Sequence, residues 1–384
     1  MPSLTAPPLS LYVHIPWCVK KCPYCDFNSH AARGEPAEAA YLGALRADLD
    51  FEAPRVAGRT VETIFIGGGT PSLFSATGIA RLLTDICEYL AVSPDAEITL
   101  EANPGTADAD KFAGFRQAGV DRMSIGVQSF RDEHLSALGR IHDSQQARAA
   151  VAAARAAGFA QLNLDLMFAL PGQTAEQALQ DLLNAVELEP EQISWYQLTL
   201  EPNTLFHRHP PRLPDDETAW DIQREGQAFL ATHGYRQYEI SAYARPGFAC
   251  RHNLNYWRFG DYLGLGAGAH GKLSFPGEKR IERRWKIKNP VDYMRRAGTE
   301  AVLGGTEDVP ESARPLEFVM NALRLQEGFA ECDYLGRTGL PPDTLEPALS
   351  ECLKLGLLER NGGQIRCTAD GWRLLDSVLE KFSG

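Results

Sequence analysis

The first 240 residues alternate between short strand-like segments and amphipathic helix-like segments. Seven segments, near residues 11, 63, 97, 122, 162, 193 and 237, are rich in β-branched or aromatic residues and end at Gly, Pro or Asn. Helical patterns lie between most of them, such as the one over residues 143–158 that closes on Gly158. This order predicts right-handed βαβ units around a parallel sheet, either open or partly closed as a barrel.

The residues that stand out chemically follow the predicted strands. Three cysteines come after the first strand and the glycine-rich segment GGGTPS after the second, while Glu101, Gln128 and Asp165 end or follow later strands. In parallel sheets and barrels, functional sites lie beyond the carboxyl ends of the strands. We therefore expect one site at that end of the sheet.

The alternation stops after about residue 300. Helical patterns, a turn at NGG and a final helix there predict a small winged-helix-like α+β module. Glu346, Glu351 and Glu359 favour packing or protein contact over nucleic-acid binding by this module. We expect a βα core over residues 1–240, an extension of that core over 241–300, and the C-terminal module over 301–384.

Charge and hydropathy restrict the partners. The formal net charge of −12 argues against non-specific binding to nucleic acid or to an anionic membrane surface. No apolar run is long enough to span a bilayer, and the first residues lack the pattern of a signal peptide. We therefore expect a protein of the reducing cytoplasm, where clustered cysteines bind metal more often than they pair.

The stretch HIPWCVKKCPYCDF contains three cysteines spaced C-x3-C-x2-C. Three thiolates can hold three irons of a [4Fe–4S] cubane and leave the fourth iron open for an exchangeable ligand. That iron could chelate the amino and carboxylate groups of S-adenosylmethionine and pass an electron to its sulfonium. Two alternatives remain open at this point: a zinc site completed by a distant ligand such as Cys250 or His30, and a purely structural role.

Eight motifs in order extend this interpretation over essentially the whole chain: YVHIPWC, CPYCDF, GGGTPS, EANP, GVQSF, LGRIH, DLMFALPGQT and HNLNYW. Together they resemble the radical S-adenosylmethionine (radical SAM) superfamily, in the branch that contains the oxygen-independent coproporphyrinogen III oxidases and related haem chaperones. The resemblance implies a partial (β/α)6 barrel with a small winged-helix-like C-terminal domain. It also implies a [4Fe–4S] cluster and one or two molecules of S-adenosylmethionine.

The resemblance assigns roles residue by residue. Cluster ligation falls to Cys18, Cys22 and Cys25. Contacts to S-adenosylmethionine, to a second copy of it or to a neighbouring substrate fall to Tyr12, Tyr24, Gly68, Gly69, Thr70, Glu101, Gln128, Arg140 and Asp165. From residue chemistry alone, Tyr12 could equally be a core tyrosine. Gln128, Arg140 and Asp165 could likewise be structural hydrogen-bonding or surface groups.

Two departures from the oxidases put decarboxylation of coproporphyrinogen in doubt. The oxidases carry a further cysteine two positions after the third cluster cysteine, where this chain has Phe27. They also carry an N-terminal extension that helps to enclose the tetrapyrrole, whereas the first predicted strand here begins by about residue 10. Both features favour the haem chaperone subgroup, and we assign no catalytic residue.

The segment CRHNLNYW, from Cys250 to Trp257, offers the groups that a haem site needs. His252 supplies an imidazole, Tyr256 and Trp257 supply ring faces, and Arg251 supplies a cation for the propionates. The alternative is a His and an Asn that cap a turn beside a core Tyr-Trp pair.

Three functions follow from these readings. The first is a haem chaperone that delivers its cargo to apo-haemoproteins of the respiratory chain and reaches a membrane only through a partner. The second is a coproporphyrinogen III dehydrogenase that uses radical chemistry. The third is a zinc-stabilised βα scaffold with an interaction module. The first is favoured because Phe27 replaces a cysteine that the second is expected to carry.

Overall fold

The computed structural model describes residues 4–32, 34, 36–106 and 109–383. The strands, in chain order, are β1 Leu9–Ile15, β2 Trp17–Cys18, β3 His30–Ala31, β4 Thr60–Gly68, β5 Ala91–Ala102, β6 Arg122–Gln128, β7 Gln161–Phe168, β8 Gln192–Gln197, β9 Arg236–Glu239, β10 Ala242–Ala244, β11 Asp261–Leu265, β12 His270–Phe275, β13 Arg280–Lys286, β14 Leu303–Asp308, β15 Phe329–Ala330, β16 Leu358–Asn361 and β17 Gln364–Cys367.

The α-helices, in the same order, are α1 Glu38–Glu52, α2 Ala76–Tyr89, α3 Ala109–Ala118, α4 Asp132–Ala137, α5 Ser144–Ala156, α6 Ala175–Glu187, α7 Leu205–Arg208, α8 Asp216–Thr232, α9 Arg251–Trp257, α10 Pro290–Arg296, α11 Arg314–Ala322, α12 Glu331–Thr338, α13 Ala348–Lys354, α14 Ala369–Arg373 and α15 Leu375–Phe382. No helix in the described part of the chain is long and apolar enough to cross a membrane.

Six parallel strands form the centre of the molecule, in the order β1-β4-β5-β6-β7-β8. Helices α1, α2, α3, α5 and α6 fall between them along the chain, as the alternating pattern predicts. The predicted α/β class and partial (β/α)6 barrel are therefore confirmed. The carboxyl ends of these six strands share one end of the barrel.

Alternation along β1 shows how the barrel is filled. Leu9, Leu11, Val13 and Ile15 are fully buried in the main apolar core. The intervening side chains face polar groups of neighbouring strands: the Thr63 hydroxyl of β4 donates to Ser10 Oγ at 2.7 Å. The barrel interior is consequently rich in hydrogen-bonding groups, whereas the layer between sheet and helices is apolar.

Both flanks of the parallel strands differ from a simple βα continuation. The single strand expected near residue 237 is two short strands, β9 and β10, and β10 runs antiparallel to β8. On the other flank, β11 pairs parallel with β1, and β12, β13 and β14 extend the sheet antiparallel. These flanking strands lack the apolar alternation that predicts a strand: β13, RIERRWK, carries charged residues along most of its length.

Helix α9 closes the barrel at the amino ends of the strands. Asn255 Nδ2 donates to Ser10 Oγ at 2.8 Å and to the Asp261 carbonyl at 3.0 Å, which ties the helix to β1 and β11. His252 Nδ1 and Thr63 Oγ1 are 2.9 Å apart. The segment that was predicted to offer a haem site thus packs against the start of the sheet.

The C-terminal residues form a small module of helices α11 to α15 and the antiparallel sheet β15-β17-β16. Its own apolar core contains Phe318, Tyr334, Leu349, Ile365 and Val378. The predicted turn at NGG joins β16 to β17 and a helical segment follows, as expected. The exact domain boundaries stay predictions, since β14 (residues 303–308) still pairs within the large sheet.

Candidate cluster and cofactor pocket

The three cysteines lie on a loop that is closed at both ends. β2 pairs with β3, which places Trp17 opposite His30 and Cys18 opposite Ala31. Within the loop, the Cys25 amide donates to the Cys22 carbonyl at 3.2 Å. The loop follows β1 and therefore sits at the carboxyl ends of the parallel strands.

All three thiols are free and partly buried, and all three line one cavity. Burial raises the pKa of the Cys18 thiol, and the neighbouring Cys25 and Cys22 raise it further. Three converging thiolates therefore repel one another unless cations lie between them. Arg140 supplies one, since its Nη1 donates to Cys22 Sγ at 3.6 Å.

The glycines at the end of β4 form the opposite wall of the cavity. Gly68 has φ +116°, and a Cβ there would lie 2.7 Å from His14. A Cβ on Gly69 would lie 2.6 Å from the Trp17 carbonyl oxygen, and the Gly69 amide donates to the Ile15 carbonyl at 2.7 Å. Glycine is thus required for the chain to pass this closely against the base of the cysteine loop.

Glu101, at the end of β5, faces the same glycines from inside the barrel. Its Oε2 accepts from the Gly68 amide at 3.0 Å. Burial, reinforced by the negative charge of Asp165, raises the pKa of the Glu101 carboxyl to about 8. The carboxyl is accordingly protonated at neutral pH when no cation lies beside it, and a cationic or hydroxyl-bearing ligand would favour the ionised form.

Asp165 lies deeper, in a network of hydrogen bonds that reaches across three strands. It accepts from the Ser124 hydroxyl at 3.0 Å and from Asn163 Nδ2 at 2.8 Å. The Ser194 hydroxyl in turn donates to Asn163 Oδ1 at 3.1 Å. Burial raises the pKa of Asp165, and these donors partly offset the effect.

Gln128 and Arg140 complete the wall beside the cysteines. Gln128 has φ +70° at the end of β6, and its Oε1 accepts from the Tyr196 hydroxyl at 2.8 Å. Arg140 Nη2 donates to the Gly126 carbonyl at 2.9 Å, while its Nε is buried without a described partner. Tyr24 is half-buried beside Arg140, and desolvation raises the pKa of its phenol.

The cavity thus unites every residue predicted for the cluster and the cofactor except Tyr12. Tyr12 lies below the cavity, where its hydroxyl donates to His14 Nδ1 at 2.9 Å and its ring stacks on Phe65. Burial, followed by the charge of Glu101, raises the pKa of the Tyr12 phenol. The individual roles of all these residues stay predictions.

His14 and Tyr196 also contribute to the site, and neither was predicted from the sequence. His14 Nε2 donates to the Asn28 carbonyl at 2.9 Å, and its ring supports Gly68. Tyr196, on β8, lines the cavity opposite Gly68. Both alternate with buried apolar residues on their strands, and this alternation was the signal that could have identified them.

The donor set suits a polynuclear iron–sulfur group. Three thiols on one loop share the cavity with two glycines, which have no side chains to fill it. An arginine balances the thiolate charge. Among the described residues, no three His, Cys, Asp or Glu side chains are grouped to hold a metal ion in their present positions.

The predicted haem residues occupy the other end of the barrel. His252 is buried, and burial, together with the charge of Arg122, lowers its pKa to about 3. Trp257 packs under the Arg324 guanidinium, whose central carbon lies 4.4 Å from the centroid of the Trp257 ring, and Tyr256 is 39% exposed. The three do not present one common surface with an accessible imidazole, and a haem role for them stays a prediction.

Known proteins resemble the chain along its full length. Residues 12–184 match the radical SAM superfamily, and residues 309–374 match the HemN C-terminal domain. The chain is 50% identical to the protein named "Heme chaperone HemW" of Escherichia coli, with 98% of each chain covered. It is 33% identical to the protein of the same name from Bacillus subtilis, over 98% of this chain and 99% of that one.

A solved structure agrees with these sequence matches. The solved structure of the coproporphyrinogen III oxidase HemN of Escherichia coli, described as a radical SAM enzyme, superposes on this chain with a TM-score of 0.83 at 26% identity. The match covers 98% of this chain and 90% of that one. The chain therefore belongs to the radical SAM superfamily and, within it, to the HemW family.

Proposed function

We propose that this chain is a haem chaperone: it holds a [4Fe–4S] cluster and S-adenosylmethionine in the cavity of the cysteine loop, binds haem, and transfers it to apo-haemoproteins of the respiratory chain. The observation that carries the proposal is the 50% identity, end to end, with a protein named a heme chaperone. The shared cavity of Cys18, Cys22 and Cys25 supports the cofactor part.

Each wall of the cavity suits one part of such a cofactor pair. The three thiolates would ligate three irons, and Arg140 would balance their charge. Gly68 and Gly69 would admit the amino acid part of S-adenosylmethionine close to the backbone. Glu101 would accept from its ribose or ammonium group and lose its proton as it does so.

When bound, the cluster supplies one-electron chemistry at its open iron. The residues of the chain orient the cofactor and keep water away from it. Tyr24 and Tyr196 cover the cavity on the side of Arg140, and the Asp165 network fixes its floor. Phe27, in the position of the additional oxidase cysteine, is 61% exposed and leaves no thiol there.

The test is an anaerobic assay of cluster-reconstituted protein in two parallel arms. In one arm, haem-loaded protein is mixed with an apo-cytochrome, and transfer is followed by the absorbance of the product. In the other, reductant, S-adenosylmethionine and coproporphyrinogen III are supplied and tetrapyrroles are analysed. We expect transfer in the first arm and no turnover in the second, and repeated formation of protoporphyrinogen would overturn the proposal.

A further inference from the structure

The loop after β8 carries a short helix that is docked on the cysteine loop. The Phe206 amide of α7 donates to the Pro23 carbonyl at 3.0 Å, between two of the cluster cysteines. The Phe206 ring lies 6.3 Å from the ring of Tyr24, which lines the cofactor cavity. Helix α7 therefore stands at the mouth of that cavity, although its own residues do not line it.

The next residue, His207, is exposed and held in one tautomer. Its Nδ1–H donates to the Leu200 carbonyl at 3.2 Å, and its amide donates to Thr204 Oγ1 at 3.1 Å. Nε2 is then the acceptor nitrogen, and it has no hydrogen-bond partner among the described residues. Metal-ligating histidines characteristically donate their other ring nitrogen to a carbonyl or carboxylate in this way.

Other histidines lack this combination of tautomer, exposure and place. His209 and His270 are exposed, but their rings form no hydrogen bond with another described residue. His14, His142 and His252 are buried. His233 is exposed, and its Nδ1 lies 2.8 Å from the Phe229 carbonyl, but it follows α8 and sits toward the amino ends of the strands. His233 is therefore a matched control for His207.

The mouth of the cavity is apolar as well as basic. Of the eleven large apolar side chains that are exposed among the described residues, four lie in segments that follow the carboxyl ends of the strands, three on loops and one on α7. These four form what we call the apolar rim: Val19, Phe27, Ile141 and Leu205. Exposed apolar groups that gather around a polar pocket mark a ligand or partner surface.

Unpaired cations accompany the apolar rim. Lys20, Arg208 and Arg212 are exposed and form no ion pair with another described residue. Lys20 lines the cavity, Arg208 ends α7, and Arg212 follows it on the same segment. In a chain with a net charge of −12, free cations on these segments favour an anionic ligand there. A haem is flat and apolar, carries two propionates, and needs a ligand for its iron.

We propose that the cargo haem binds across the mouth of the cofactor cavity, with its iron ligated by His207 Nε2, its porphyrin on the apolar rim, and its propionates toward Lys20, Arg208 and Arg212. This inference rests on the proposed function, because it assigns a place to the cargo. It puts the haem beside the cluster, at the end of the barrel opposite His252.

The experiment is an anaerobic titration of the full-length, cluster-reconstituted protein with hemin, followed by the Soret band. We compare the wild type with His207→Ala, His233→Ala and His252→Ala. We expect His207→Ala to weaken hemin binding by about tenfold or more and to shift the Soret band, as loss of an axial ligand does. His233→Ala should bind as the wild type does.

Added imidazole provides a second readout. It should restore the wild-type Soret position in His207→Ala, which a merely structural defect would not allow. Wild-type-like binding by His207→Ala would overturn the inference and leave the chaperone function standing, most directly if His252→Ala alone lost binding. Absence of hemin binding by the wild type would overturn both.

Discussion

Each of the cluster cysteines is expected to be indispensable by itself, since a cubane held by two thiolates has lost one anchor. Cys22 is the most informative, because Arg140 donates to its sulfur. We expect Cys22→Ser to lose most of its iron and acid-labile sulfide after reconstitution. The exposed Cys87 on α2 is the matched control. Equal iron content in both variants would contradict the assignment of the cysteine loop.

Glu101 should give the cofactor-free protein a distinctive dependence of stability on pH. Its pKa of about 8 when folded lies above the ordinary value of 4.5, so the folded state keeps a proton that the unfolded chain releases. The free energy of unfolding should therefore fall as the pH rises from about 4.5 to 8, by at most ~1.4 kcal/mol per pH unit from this group.

Urea unfolding at several pH values measures this effect. Glu101→Gln should remove it, whereas Glu187→Gln, at an exposed position on α6, should retain it. Asp165, Tyr12 and the Gly68 amide face the Glu101 carboxyl in the wild type and in Glu187→Gln. An unchanged pH slope in Glu101→Gln would show that another group titrates instead.

At the scale of elements, the end of β4 depends on close passage of the backbone. Gly68→Ala adds a Cβ 2.7 Å from His14 at φ +116°, so we expect a loss of about 2–5 kcal/mol in the free energy of unfolding. Gly172→Ala is the control that measures backbone strain without a steric clash, because Gly172 has φ +70° and open space around it. It should cost only about 1–2 kcal/mol, again by urea unfolding.

Helix α9 should stabilise the fold, because it closes the barrel at the amino ends of the strands. His252 is buried among Thr63, Phe65 and Arg122, and its pKa of about 3 keeps it neutral. Since the unfolded histidine takes up a proton below about pH 6.5, stability should fall as the pH drops from 6.5 toward 3.

His252→Ala should remove this acid dependence and cost about 2–4 kcal/mol at pH 7 through the cavity it leaves. Calorimetry at pH 5 and 7 measures both effects, with the exposed His233→Ala as the control. A variant that retained wild-type stability would show that α9 is not held by this side chain.

The sequence predicted the central elements well because each of them combines two signals. Strand β1 alternates and is followed by a proline, and α5 is preceded by the N-cap Asp143 in a capping box and is followed by Gly158. The flanking strands carry neither signal. In β13 the arginines are neutralised by contacts from elsewhere in the chain, such as that of Arg283 with Glu317, and local sequence does not reveal such partners.

Across the whole molecule, the barrel and the C-terminal module are joined by a buried guanidinium. Arg314, on α11, donates to the carbonyls of Lys279 at 3.0 Å and Thr338 at 2.9 Å, and to that of Val309 at 3.3 Å. Lys279 lies in the turn between β12 and β13, so this one side chain links the extended sheet to α12.

Removal of that guanidinium should loosen the junction. Arg314→Met leaves buried carbonyls without donors and should cost about 2–5 kcal/mol. Arg295→Met, at a side chain that is 74% exposed, should change stability by no more than about 0.5 kcal/mol. Urea unfolding measures the difference, and equal stability of the two variants would contradict this description of the junction.

The site was more accessible to sequence reasoning than its surroundings were. Eleven of the predicted cluster and cofactor residues meet in one cavity, since carboxyl ends of parallel strands converge wherever the strands do. Tyr12 lies below the cavity. This position could not be predicted, because the direction of a strand does not give the depth of a residue along the barrel axis. His252 was predicted to be open to a ligand because burial by a helix from residue 251 onward leaves no local signature.

The position of α9 has a kinetic consequence. Because this helix seats against the starts of β1 and β4, the barrel has a floor at one end and its ligands exchange at the other, beside the cysteine loop. Ligands that are stacked in a cavity with one opening leave in the reverse order of their arrival. If the cargo haem binds outermost, as proposed, it would set the residence time of a cofactor beneath it, and its delivery would free the interior for exchange.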